Sequence, residues 1–71
     1  MSVVKVIELV GESPQGWEDA ARVAVREAAK TIRNITGVEV LNWTGQVDAS
    51  GNITGYRADV QVAFRVEGDG R

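Results

Sequence analysis

The sequence predicts an α+β fold: a single domain over residues 1–71, strand-helix-strand-strand, with a three-stranded antiparallel sheet of order 1-3-2 packed on one long helix. Three observations carry this. Only Ser13 to Arg33 has a clear helical period. Three other stretches are β-branched or alternate in twos, as strands do. A turn-rich run, Asp48 to Gly55, separates the last two of them.

The first strand is Val3 to Val10, VVKVIELV, apolar on both faces, with Lys5 and Glu8 on opposite sides of a two-residue repeat. Gly11 and Glu12 make the turn that follows. Ser13 is the expected helix cap and Pro14 the first helical residue, where a missing N–H costs nothing. Trp17, Ala21, Ala24, Ala28 and Ile32, widened by Ala20, Val25 and Ala29, form an apolar face of mostly small residues, which lets a sheet come close. Arg22, Arg26, Lys30 and Arg33 line the opposite, solvated side, and Glu18 and Asp19 sit near the positive end of the helix.

Asn34 to Gly37 ends the helix, with Gly37 placed for a backbone conformation that other residues resist. The second strand is Val38 to Val47. Its apolar residues change phase from Val38 and Val40 to Leu41, Trp43 and Val47, which predicts a bulge or bend. Ser50-Gly51-Asn52 is the hairpin tip. Tyr56, Ala58, Val60, Val62, Phe64 and Val66 then alternate with Arg57, Asp59, Gln61, Ala63 and Arg65 as a half-buried third strand. Residues 67–71, EGDGR, read as a frayed tail. The hairpin makes the last two strands antiparallel neighbours, and setting the third between the first and second gives a fully antiparallel sheet.

Seventy-one residues bury too little surface to be comfortably stable without staples or partner subunits. With no cysteine and no histidine, disulfides, the usual zinc sites and Cys- or His-based catalysis are all excluded, so an enzyme is not expected. Eight basic and ten acidic residues give a net charge of −2 and are interleaved, so neither nucleic acid nor a membrane is an expected partner. The opening residues lack an export-signal pattern, which leaves a cytoplasmic location as the expectation. One helix covers one face of the sheet only. The other face, with apolar side chains from the first strand and Trp43 or Val47 from the second, is expected to meet further copies of the chain.

VVKVIELVGESPQGWEDAARVAV, then VEV, then YRADVQVAFRVE resembles the dodecins over nearly the whole chain. The family's strand, G-T-S and helix pattern is matched at Val3 to Gly11 and at Ser13, with Glu12 in place of the usual Thr, and its final strand at Val60 to Glu67. The resemblance implies a hollow homododecamer that binds small ligands rather than catalysing a reaction. In flavin-binding dodecins a tryptophan directly before the second strand stacks on the isoalloxazine ring, and a glutamine early in the third strand bonds its edge. The matching residues here are Gly37 and Arg57, so the resemblance favours the branch that lacks the aromatic clamp and is associated with calcium. It also suggests Arg65 as a candidate anion contact, although a structural ion pair is the role expected first.

Calcium needs several converging oxygen ligands, and neither an EF-hand loop nor a dense acidic run is seen. The Asp48 to Asn52 hairpin reads as a plain turn. Symmetry multiplies single carboxylates, which makes Glu39, Asp59 and Glu8, all on strands, the metal candidates. Trp17 is expected to staple the helix start to the sheet; Trp43 faces either a subunit contact or a ligand cavity. The expected function is a dodecameric shell that binds or sequesters a small ligand or a divalent cation such as calcium. The alternatives are flavin storage in a remodelled pocket and a structural or interaction module with incidental ion sites.

Overall fold

The computed structural model describes residues 2–66; the tail expected over 67–71 lies outside them. The elements are β1 (Val3–Ser13), α1 (Trp17–Ala29), β2 (Ile35–Val47) and β3 (Ile53–Val66). They form a sheet of order β1-β3-β2 in which both pairings are antiparallel, as the sequence predicts. Long strands on so short a chain give an elongated molecule of 57 × 19 × 12 Å.

α1 lies over β1 and β3 and barely reaches β2. Ala20, Ala24 and Ala28 are buried against Ala58, Val60 and Val62 of β3, and Ile7, Leu9, Val25, Ile32, Ile35 and Val40 pack around them. The small helix residues set a close approach, and Gly11 makes it closer still. A Cβ at Gly11 would collide with the Ala20 carbonyl oxygen and stand 3.0 Å from the Ala24 Cβ. Gly11 is therefore required by helix-sheet contact and lies within a strand, not in the turn expected there.

Five boundaries differ from the sequence reading: β1 runs past Val10 to Ser13, α1 starts at Trp17 and ends at Ala29, and the hairpin strands start earlier, β2 at Ile35 rather than Val38 and β3 at Ile53 rather than Tyr56. β1 continues through Ser13 because β3 is long enough to pair with it, Glu12 standing opposite Arg57 and Ser13 opposite Tyr56. The helix cap is consequently Gly16, without a side-chain cap bond. Buried Ser13 instead accepts the Gln15 N–H and donates to Asp19 Oδ2 at 2.6 Å, so it ties the helix start down from one turn away. The helix ends at Ala29; a tight turn follows, in which the N–H groups of Thr31 and Ile32 both bond to the Ala28 carbonyl. The left-handed residue after it is Asn34 (φ 64°), not Gly37, which lies in β2 with open space where a side chain would project. The expected bulge falls at Leu41, where the pairing of β2 with β3 slips between Val40 and Asn42. The hairpin turn is closed by Asp48 and Asn52, with Gly51 at φ 87°.

The slip at Leu41 has a consequence for Trp43. It places Trp43 opposite Ala58, on the helix side of the sheet, where its ring meets Trp17 edge-on at 6.4 Å. Trp43 therefore does not contribute to the uncovered face. That face is nonetheless apolar along β1: Val4, Val6 and Val10 are 53, 52 and 57% exposed.

Candidate functional site

Alternation along β1 and β3 turns Glu8, Val10 and Glu12, with Arg57, Asp59 and Gln61, away from the helix. Glu39 joins them from β2, since it pairs with Gln61 from the other side. All three carboxylates expected as metal candidates thus share one face. Glu8 and Glu39 flank Gln61, and Asp59 lies one step along β3, diagonal to Glu8.

Glu8 and Asp59 act as a pair. The Glu8 carboxyl is held above the ordinary glutamate range, first by a hydrogen bond to Asp59, then by repulsion from its charge, and least by burial. Asp59 Oδ1 is buried and has no partner when both groups are ionised, because neither then has a proton to donate. A carboxylate oxygen in that position can accept a bond from a proton donor or coordinate a hard cation. Glu39 is exposed. Among the described residues no three acidic groups of one chain converge as a metal centre.

One rung further, Arg57 Nε donates to Glu12 Oε2 at 2.6 Å across the paired strands. Gly37 does not meet Arg57 within a chain: it pairs with Ala63, six residues along β3 from Arg57, or about 20 Å at strand rise. The two residues that the resemblance assigns to a ligand pocket therefore stand far apart on one sheet. A single pocket containing both takes them from different copies. The sequence hides the Glu12–Arg57 link because Gly11 appears to end the strand at Val10; the alternation Glu8, Val10, Glu12, continued past it, is the signal that puts Glu12 on the same face as Arg57.

Trp17 staples the helix start as expected. Its Nε1–H donates to the Thr44 carbonyl at 2.8 Å, and its ring packs edge-on against Tyr56 at 4.7 Å. At the hairpin end of the sheet Glu12, Ser13, Gln46, Thr54, Tyr56 and Arg57 line a cleft of ≈ 250 Å³. At the other end of the molecule Lys5, Arg33 and Arg65 border a hollow of ≈ 400 Å³, and none of the three has a carboxylate partner among the described residues. Arg65 is anchored through its backbone N–H, which donates to the Asn34 carbonyl. In the hairpin, the N–H groups of Ser50 and Asn52 surround the Asp48 carboxylate; the Asn52 bond is the chief reason that its pKa is lowered. These oxygens close a turn. Among the described residues no helix is long and apolar enough to cross a membrane.

A family model described as Dodecin matches residues 3–67. The calcium dodecin of Mycobacterium tuberculosis is 41% identical over 66 residues, covering 93% of this chain and 92% of that protein. The dodecin of Thermus thermophilus is 37% identical over 65 residues, 92% and 93% of the two. Among solved structures, the tt0972 protein of Thermus thermophilus superposes with a TM-score of 0.89 at 35% identity, covering 96% and 98% of the two chains. The calcium dodecin of Mycobacterium tuberculosis, described as a calcium-chelating antigen with a novel calcium-binding site, superposes with a TM-score of 0.79 at 36% identity over 99% of each. In element order, sheet topology and sequence along nearly its full length, this chain belongs to the dodecin family.

Proposed function

We propose that the protein is a non-enzymatic, cytoplasmic homododecameric shell that binds or sequesters a divalent cation, calcium foremost, or a small ligand. The observation that carries the cation reading is Asp59 Oδ1, a buried carboxylate oxygen without a partner beside the Glu8 carboxylate. Hard cations take oxygen ligands, and calcium takes six to eight, so one Glu8–Asp59 pair is short of a full shell. Copies of the uncovered face that meet about a symmetry axis supply the rest, and the exposed Val4, Val6 and Val10 give those copies an apolar reason to meet. The 41% identity to a calcium dodecin supports the same reading.

Flavin storage is the second reading. It is disfavoured because Gly37 offers no stacking face, and because Arg57, which has no acceptor, cannot replace both functions of a glutamine amide. Arg65 is proposed as an anion contact, favoured over a structural ion pair by the two other cations, Lys5 and Arg33, at the same hollow. A plain interaction module responds to none of these ligands.

Calcium titration followed by thermal unfolding tests the reading. Calcium is expected to raise the melting temperature of the parent protein and of Asp48→Asn but not of Asp59→Asn, with native mass equal in all three. A response lost in Asp48→Asn, or kept in Asp59→Asn, overturns it.

A further inference from the structure

We infer that the cleft at the hairpin end of the sheet is a binding site for a carboxylate or phosphate group, held by the terminal nitrogens of Arg57 and oriented by Glu12. This rests on the ligand-binding side of the proposed function and names its chemistry. Arg57 commits a single nitrogen, Nε, to the protein; its two terminal nitrogens have no protein partner among the described residues. A guanidinium carries five N–H donors in a planar fork, so four remain for a ligand with two adjacent oxygens. The Nε bond to Glu12 removes the freedom an exposed Arg side chain would otherwise lose on binding, and it is made between directly paired residues of two long strands.

The rest of the cleft is built rather than incidental. Ser13 is fixed by its bonds to Asp19 and Gln15 and has no hydroxyl proton left for a ligand. Tyr56 is pinned by the Trp17 ring. The Gln46 carboxamide folds over Gly55, where a Cβ would stand 2.8 Å from its Oε1, so the cleft wall diagonal to Arg57 carries an amide with donors and an acceptor. Glu12 offsets the charge of Arg57, so the site selects for directional hydrogen bonds more than for charge.

The experiment titrates intact protein with inorganic phosphate and, separately, with acetate. It follows heat by calorimetry and tryptophan fluorescence, since Trp17 packs on Tyr56, a residue of the cleft wall. Saturable binding of at least one anion is expected, and which of them binds more tightly separates a phosphate ligand from a carboxylate one. Arg57→Gln is expected to weaken binding about 10- to 150-fold, the range for charge-assisted bonds. Arg57→Lys, which keeps charge without the fork, should lose most of it. Glu12→Gln keeps an acceptor for Nε and removes the opposing charge, so it should tighten binding up to about fivefold and make it more salt-sensitive. A flat response in both the parent and Glu12→Gln overturns the inference, as does equal binding by Arg57→Gln. Native mass and the calcium response, read on the same samples, show separately whether the shell and cation readings stand.

Discussion

Replacing Gly11 with alanine tests how closely the helix sits on the sheet, and with it the seating of Trp17 on Thr44 and Tyr56. The new Cβ collides with the Ala20 carbonyl oxygen and lies 3.0 Å from both its carbon and the Ala24 Cβ. None of these atoms is the tip of a flexible side chain, so the clash cannot be relieved by a rotamer change. α1 must move outward, which opens the contact between Ala20, Ala24, Ala28 and the buried Ala58, Val60 and Val62. Overpacking of this kind costs about 1–3 kcal/mol, and a backbone clash belongs at the upper end. A loss of about 3 kcal/mol corresponds to a fall of roughly 12–24 °C in melting temperature for a domain of this size, read at one fixed protein concentration because association shifts the midpoint. Differential scanning calorimetry gives the midpoint, and tryptophan emission reports whether Trp17 has left Thr44 and Tyr56. A Gly11→Ala protein that melts within a degree or two of the parent would show that the helix does not rest on this strand.

Three further outcomes are expected. The Glu8 carboxyl has a raised folded pKa, so its contribution to stability is complete below the ordinary glutamate pKa and is lost as pH rises through the folded value; Glu8→Gln should flatten that part of the stability-pH curve, and an unchanged curve would refute the pairing with Asp59. Asp48 has the opposite sign, with stability present above the ordinary aspartate pKa and lost as pH falls through the lowered folded value, and Asp48→Asn should remove this acid-side loss. Flavin should quench fluorescence feebly in the parent protein, since a lost aromatic anchor costs about 2–4 kcal/mol, or roughly 30- to 1000-fold in affinity; Gly37→Trp with Arg57→Gln should strengthen it, because the space beside Gly37 is open, and submicromolar binding by the parent would contradict this.

Much of the fold was legible because its signals are local. The alternation from Tyr56 to Val66 and the phase change at Leu41 can be read from a few neighbouring residues, and strand order followed from the hairpin and from one helix to be covered. The missed features depend on residues far apart in the chain. Gly11-Glu12-Ser13 looks like a turn locally and becomes strand only because Arg57 and Tyr56 stand opposite, so the sequence alone starts the helix three residues too early, at Pro14 rather than Trp17. Asn34 took the left-handed position assigned to Gly37 because the chain turns directly after Ile32 packs on the core. Of the site, the shared face of Glu8, Asp59 and Glu39 follows from alternation once the register is known. The Glu12–Arg57 pair, 45 residues apart, needed the extended first strand before it could be seen.

The claim on which the others depend is assembly, because neither the calcium shell nor a pocket containing both Gly37 and Arg57 can be completed by one chain. Multi-angle light scattering on the purified protein measures it directly. The mass of twelve copies of the 7.6 kDa chain, unchanged on dilution to micromolar concentration, is the expected result. A well-folded monomer at that concentration would contradict the account.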